Sequence, residues 1–107
     1  MVKIISEIGI NHNGSMEIAK KLIFMSKAAG CDYVKTQKRN PDKCVPEHQK
    51  NKLRMTPWGE MKYIDYKKKI EFSMEQIREL YEYSKSIDIE FFSSVWDLDS
   101  VDDMASI

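Results

Sequence analysis

The sequence predicts the α/β class, and more narrowly about three βα units from the N-terminal portion of a TIM-type (β/α)8 barrel. Two observations carry this expectation. Apolar, β-rich runs at Val2 to Ile8, Cys31 to Gln37 and Glu90 to Val95 are separated by helical stretches, the order that gives a parallel sheet covered by helices. The first two runs also finish in polar or chargeable side chains, Glu7 on one and Lys35 and Gln37 on the other. In β/α barrels the chemistry sits at the carboxyl ends of the strands.

The first run is β-branched and stops at Gly9, as a buried parallel strand should. Ser15 then suits a helix N-cap with Glu17 in the first turn, and Ile18, Ala19, Leu22, Ile23, Met25 and Ala29 recur at helical spacing until Gly30 ends the helix. The second run follows through this one helix, so the two strands are expected to be parallel neighbours. Residues 38–72 carry Pro41, Pro46 and Pro57 and much charge, and a stretch of more than thirty residues reads as a lid, a binding loop or a disordered segment. Within it, Thr56-Pro57 suits the start of a short helix running to Ile70, whose Lys67, Lys68 and Lys69 read as a solvated face. Ser73-Met74-Glu75-Gln76 is a capping box, placing Ile77, Leu80, Tyr81 and Ser84 on one helix face. After the third strand, Asp97 or Asp99 can cap a helix that begins near Ser100.

A complete barrel needs roughly 250 residues, so this 107-residue chain is expected to be one partial barrel unit, residues 1–107. Seventeen basic and seventeen acidic residues cancel, which argues against general attraction to nucleic acid or an anionic membrane. Any anion site must be local. Cys31 and Cys44 lack metal-ligand spacing and read as free thiols. Neither a signal-peptide pattern nor a run of about 20 apolar residues is present, so a cytoplasmic location is expected.

Because side chains alternate across a strand, Lys35 and Gln37 share one face and Val34 and Thr36 the other. With Val34 under a helix, Lys35 and Gln37 face the barrel mouth, where Glu7, Ser94 and Asp97 are expected to join them. Each has a plainer alternative. Glu7 and Lys35 can be a structural ion pair, Ser94 a small polar residue at a strand exit, and Asp97 a helix cap. His12, in the turn Asn11-His12-Asn13-Gly14, is either a ligand or a histidine held within a polar turn. Trp58, Tyr63 and Tyr66 can stack on a sugar ring or fasten the long segment to the barrel rim. Two histidines without partner spacing define no metal site in this chain.

Four separated stretches, EIGINHNG at Glu7 to Gly14, AAGCDYVKTQKR at Ala28 to Arg39, TPWGEMKYIDYKKKIEF at Thr56 to Phe72 and IEFFSSVWDLDSVD at Ile89 to Asp102, resemble the N-acetylneuraminate (sialic acid) synthase family. The resemblance implies a β/α barrel, commonly followed by an antifreeze-like domain that completes a neighbouring subunit's site in a homodimer. It implies condensation of phosphoenolpyruvate with an N-acylmannosamine-type sugar, giving a nine-carbon acid and phosphate, with a divalent metal, typically manganese, polarising the sugar aldehyde.

Carried over by position, Lys35 is implied to pair with the anionic groups of phosphoenolpyruvate and Ser94 to contact the same ligand. Glu7 is implied to be the carboxylate near the sugar, with Gln37 hydrogen-bonding beside it. Thr36 and Val95 stand where many members have Phe and Pro. The family's metal-binding histidines lie on later strands, so the ligands are expected outside this chain and the chain alone is expected to be inactive. Two rival readings remain: a phosphoenolpyruvate-dependent synthase for a different amino sugar, and a truncated, non-catalytic barrel fragment.

Overall fold

The computed structural model describes all 107 residues. Three parallel strands, β1 (Ile5–Gly9), β2 (Tyr33–Lys38) and β5 (Glu90–Val95), form a sheet in the order β1-β2-β5. Helix α1 (Met16–Ala28) joins the first two strands. The connection from β2 to β5 holds α2 (Pro41–Cys44), α3 (Glu47–Lys50), an antiparallel hairpin of β3 (Leu53–Thr56) and β4 (Gly59–Lys62), α4 (Tyr63–Ile70) and α5 (Met74–Ser86). Helix α6 (Leu98–Ala105) follows β5.

The core lies on the helix side of the sheet. Val34, Ile8 and Phe91 from the strands meet Ala19 and Ile23 of α1 and Ile77 and Leu80 of α5, with Phe72 and Ile89 closing the cluster. Local signals agree with this packing. Ser15 accepts the Ile18 N–H at the start of α1. The capping box at Ser73 and Gln76 is formed in both directions, satisfying two donors that a helix start leaves without intrahelical partners.

The structure revises four expectations. The first strand begins at Ile5 rather than Val2, because its ladder with β2 starts at Ile5 opposite Tyr33, while the Ile4 carbonyl is taken by the Asp32 and Tyr33 N–H groups of the turn before β2. The second begins at Tyr33, since Asp32 is used in the turn, its carboxylate accepting the Ile4 N–H at 2.8 Å. On α1 the buried residues are Ala19, Ile23 and Ser26, while Ile18 and Met25 are exposed; Ser26 is accommodated by bonding the Ser6 hydroxyl at 2.7 Å.

The largest revision concerns residues 38–72. Thr56-Pro57 opens no helix but turns the β3–β4 hairpin, where the Thr56 hydroxyl donates to the Gly59 carbonyl and accepts the Trp58 N–H. Gly59 takes φ +102°, a conformation that side chains resist. The helix starts at Tyr63, and Lys67 is buried rather than solvated, its ammonium lying 5.5 Å and 5.9 Å from the ring centroids of Tyr63 and Tyr66. Cation–π attraction and the long apolar stem make that placement tolerable.

Candidate functional site

The pairing register builds the site. Glu7 stands opposite Lys35, and Gln37 opposite Ser94, so Lys35, Gln37 and Ser94 lie on the sheet face away from the helices. Here Lys35 Nζ meets Glu7 Oε2 at 2.8 Å, with 29% of the lysine side chain and 46% of the glutamate side chain exposed. Four of the five expected residues therefore share one open face.

A register shift at the end of β1 shapes this cluster: Gly9, rather than Ile8, comes opposite Thr36. Such bulges bend a strand and re-aim the side chains beside them. Gly9 has φ +50°, and a β-carbon there would lie 3.1 Å from Glu7 Oε1 and 3.5 Å from Gln37 Nε2. The missing side chain thus lets a carboxylate oxygen and an amide nitrogen both come close over Gly9.

Asp97 does not join the cluster. Its Oδ1 accepts the Ser100 N–H at 2.8 Å, capping α6, and its Oδ2 accepts the Asn40 N–H at 2.5 Å, tying that cap to the segment after β2. Desolvation pushes its carboxyl pKa up, but those two N–H groups and the charge of Lys38 outweigh it and hold the group below its ordinary value. The plainer alternative, a helix cap, is the one realised.

His12 is also structural in its contacts. It is buried, stacked on Phe72 with ring centroids 4.2 Å apart, and its Nδ1 accepts the Gly14 N–H at 2.9 Å. Burial lowers its pKa to about 4, against the opposing pull of a hydrogen bond to the Gly9 backbone, so the ring is neutral at pH 7. Both cysteines are free, and burial pushes the Cys44 thiol up, away from the reactive thiolate. No group of three His, Cys, Asp or Glu side chains converges to hold a metal ion.

Two features escaped the sequence reading. Lys38, on the helix-side face of β2, pairs with Glu71 at 2.9 Å, and the same Glu71 oxygen accepts the Arg39 N–H at 3.1 Å. Arg39 itself donates from Nη2 to Gln37 Oε1 and lies 4.4 Å over the Trp96 ring. The only signal for either was a second and third cation directly after Gln37, which does not reveal a partner 33 residues away.

Comparison with known proteins gives a consistent result. The profile of the NeuB family matches residues 22–107. The chain is 35% identical over 102 residues to N,N'-diacetyllegionaminic acid synthase of Campylobacter jejuni, covering 92% of this chain and 30% of that protein. It is 35% identical to N-acetylneuraminate-9-phosphate synthase of Drosophila melanogaster over 108 residues, covering 99% of this chain and 29% of that protein. Among solved structures, the sialic acid synthetase of Leptospira borgpetersenii superposes with a TM-score of 0.81 at 24% identity, over 98% of this chain and 33% of that one. The spore coat polysaccharide biosynthesis protein spsE of Bacillus subtilis gives 0.70 at 30% identity, over 98% and 26%. The chain thus spans about 30% of the length of the curated relatives it matches.

Proposed function

The chain belongs to the NeuB family, and from that premise we propose that it forms the N-terminal part of the (β/α)8 barrel of a nonulosonic acid synthase. In this reading the complete enzyme is a cytoplasmic homodimer that condenses phosphoenolpyruvate with an N-acylmannosamine-type sugar. A carbon–carbon bond forms between the enol carbon and the sugar aldehyde, water adds at the adjacent carbon, and phosphate leaves. The divalent metal, manganese, is assigned to residues outside these 107. No helix is long and apolar enough to cross a membrane.

One observation carries the proposal: the half-exposed Glu7–Lys35 pair midway along two parallel strands, with Gln37 and Ser94 on the same face toward the carboxyl ends of β2 and β5. An ion pair this exposed is worth no more than about 1 kcal/mol, so an arriving anion can draw the Lys35 ammonium to itself at little cost. Lys35 then holds a phosphate or carboxylate with Ser94 beside it. Glu7, released from its cation, can accept from a sugar hydroxyl, with the Gln37 amide as neighbour.

The test is phosphate release from phosphoenolpyruvate and a panel of N-acylated hexosamines, using the whole reading frame that carries these residues. Lys35→Ala and Glu7→Gln should each lower kcat/KM by about 100-fold or more, the scale of a lost charge-assisted contact in a transition state. Turnover that survives Lys35→Ala unchanged, or no turnover with any sugar, would sink this reading. The 107-residue chain alone is predicted to release no phosphate.

A second reading rests on the exposed apolar residues at the sheet's two outer sides, Ile4 and Ile5 by β1 and Val95, Trp96 and Leu98 by β5. It takes the chain as a non-catalytic barrel fragment that acts by associating with other chains. Sedimentation of the native gene product separates the two, a monodisperse monomer of 107 residues counting against association.

A further inference from the structure

The Gln37 amide has a donor end and an acceptor end, and which end faces Glu7 determines what the site can recognise. We propose that Arg39 is a positioning residue, locking the Gln37 amide so that its NH2 group is presented over Gly9 beside the Glu7 carboxylate. Arg39 Nη2 donates to Gln37 Oε1. A guanidinium has only donors, so the end of the amide that meets it must be the carbonyl oxygen. Nε2 is thereby turned toward the bulge, where it lies 3.5 Å from the position of an added Gly9 β-carbon and Glu7 Oε1 lies 3.1 Å from the same point.

The lock is itself held from two sides. The Arg39 N–H donates to the Glu71 oxygen that also pairs with Lys38, which fixes the backbone just beyond β2. The guanidinium plane rests on the Trp96 ring at 4.4 Å, an interaction a lysine reproduces poorly because it lacks the planar face. Arg39 is also the cation at this end of β2 that no carboxylate neutralises in the structure, since Lys35 pairs with Glu7 and Lys38 with Glu71.

The result is a fixed acceptor and a fixed donor held close together over Gly9. A ligand with a hydroxyl and a carbonyl oxygen on neighbouring atoms answers both, as an N-acylamino sugar does. This last assignment rests on the synthase reading; the orientation of the amide does not.

Two measurements keep those claims apart. In the full chain without ligand, the Gln37 side-chain NH2 protons should give a resolved NMR pair with nuclear Overhauser contacts to Gly9. Arg39→Ala should average that pair and remove the contacts while the backbone signals of β2 stay in place. Arg39→Lys should restore them in part, and Trp96→Ala should weaken them without deleting the donor. Gln37 signals unchanged in Arg39→Ala would overturn the proposal, since Glu7 alone would then orient the amide. In the turnover assay, Arg39→Ala should raise KM for the amino sugar about tenfold with KM for phosphoenolpyruvate within about twofold; an equal rise in both would also overturn it. A wild-type protein that turns over no sugar removes the synthase reading and leaves the NMR result to decide the role of Arg39.

Discussion

Two lysines three residues apart on β2 each meet a glutamate at nearly the same distance, Lys35 with Glu7 at 2.8 Å and Lys38 with Glu71 at 2.9 Å. Their surroundings differ sharply. The first pair is 29% and 46% exposed and stands on the open face of the sheet; the second is 10% and 15% exposed and sits where β2 meets the α4–α5 junction. Three positions along a strand reverse the face, so one pair faces solvent and the other faces the helices. An ion-pair distance therefore says little about role. What decides it is whether the charges keep access to water, and so to a ligand, or are committed to holding two segments together.

The largest expected effect breaks the buried pair. Lys38→Ala leaves the Glu71 carboxylate without its cation, and stability should fall by about 3 kcal/mol, read from the urea midpoint. A loss below about 1 kcal/mol would mean that water reaches Glu71 and that the contrast between the pairs is overstated.

The same buried side is probed by pH through His12, which stacks on Phe72 next to Glu71. Its folded-state pKa is about 4 against an ordinary 6.5, so as pH falls the unfolded chain takes up the proton first. Its contribution to stability is complete above 6.5 and is lost between 6.5 and 4, on the order of 3 kcal/mol. His12→Asn, which retains an acceptor for the Gly14 N–H, should flatten that part of the stability–pH curve. An unchanged slope would assign the loss to carboxylates instead.

Between the two lysines, Thr36 is fully buried with a hydroxyl that has no hydrogen-bond partner. Thr36→Val keeps the shape and deletes the orphaned group, so the thermal midpoint should rise with a gain of about 1 kcal/mol. A drop would reveal a partner for the hydroxyl. The smallest expected effect on folding belongs to the exposed pair: Lys35→Ala should change stability by less than about 1 kcal/mol, although the same substitution is predicted to abolish most turnover. A large destabilisation would make Glu7–Lys35 structural, like its neighbour.

Much of the scaffold was legible because it rests on local rules. The capping box at Ser73, the face formed by Ile77, Leu80 and Ser84, and the alternation in β2 are set by residues within one turn or one pleat of each other. The hairpin after β2 is not legible locally, because Thr-Pro serves a helix start and a tight turn alike and only the positive φ of Gly59 settles which. Met25 repeats with the helix stripe yet is exposed, since the stripe does not specify how wide a face its neighbours cover.

By itself the sequence determined the three parallel strands with the helices α1, α5 and α6 that follow them, the family pattern, and the placing of Glu7, Lys35, Gln37 and Ser94 on one face of that sheet. These follow from periodicity and capping, interactions between near neighbours along the chain. Only the tertiary structure decided that Asp97 serves as a cap, that Lys38 is buried against Glu71, and that Arg39 reaches Gln37 from above Trp96. Those outcomes depend on which distant segments come to rest beside β2, and on how much water their packing excludes from each charge.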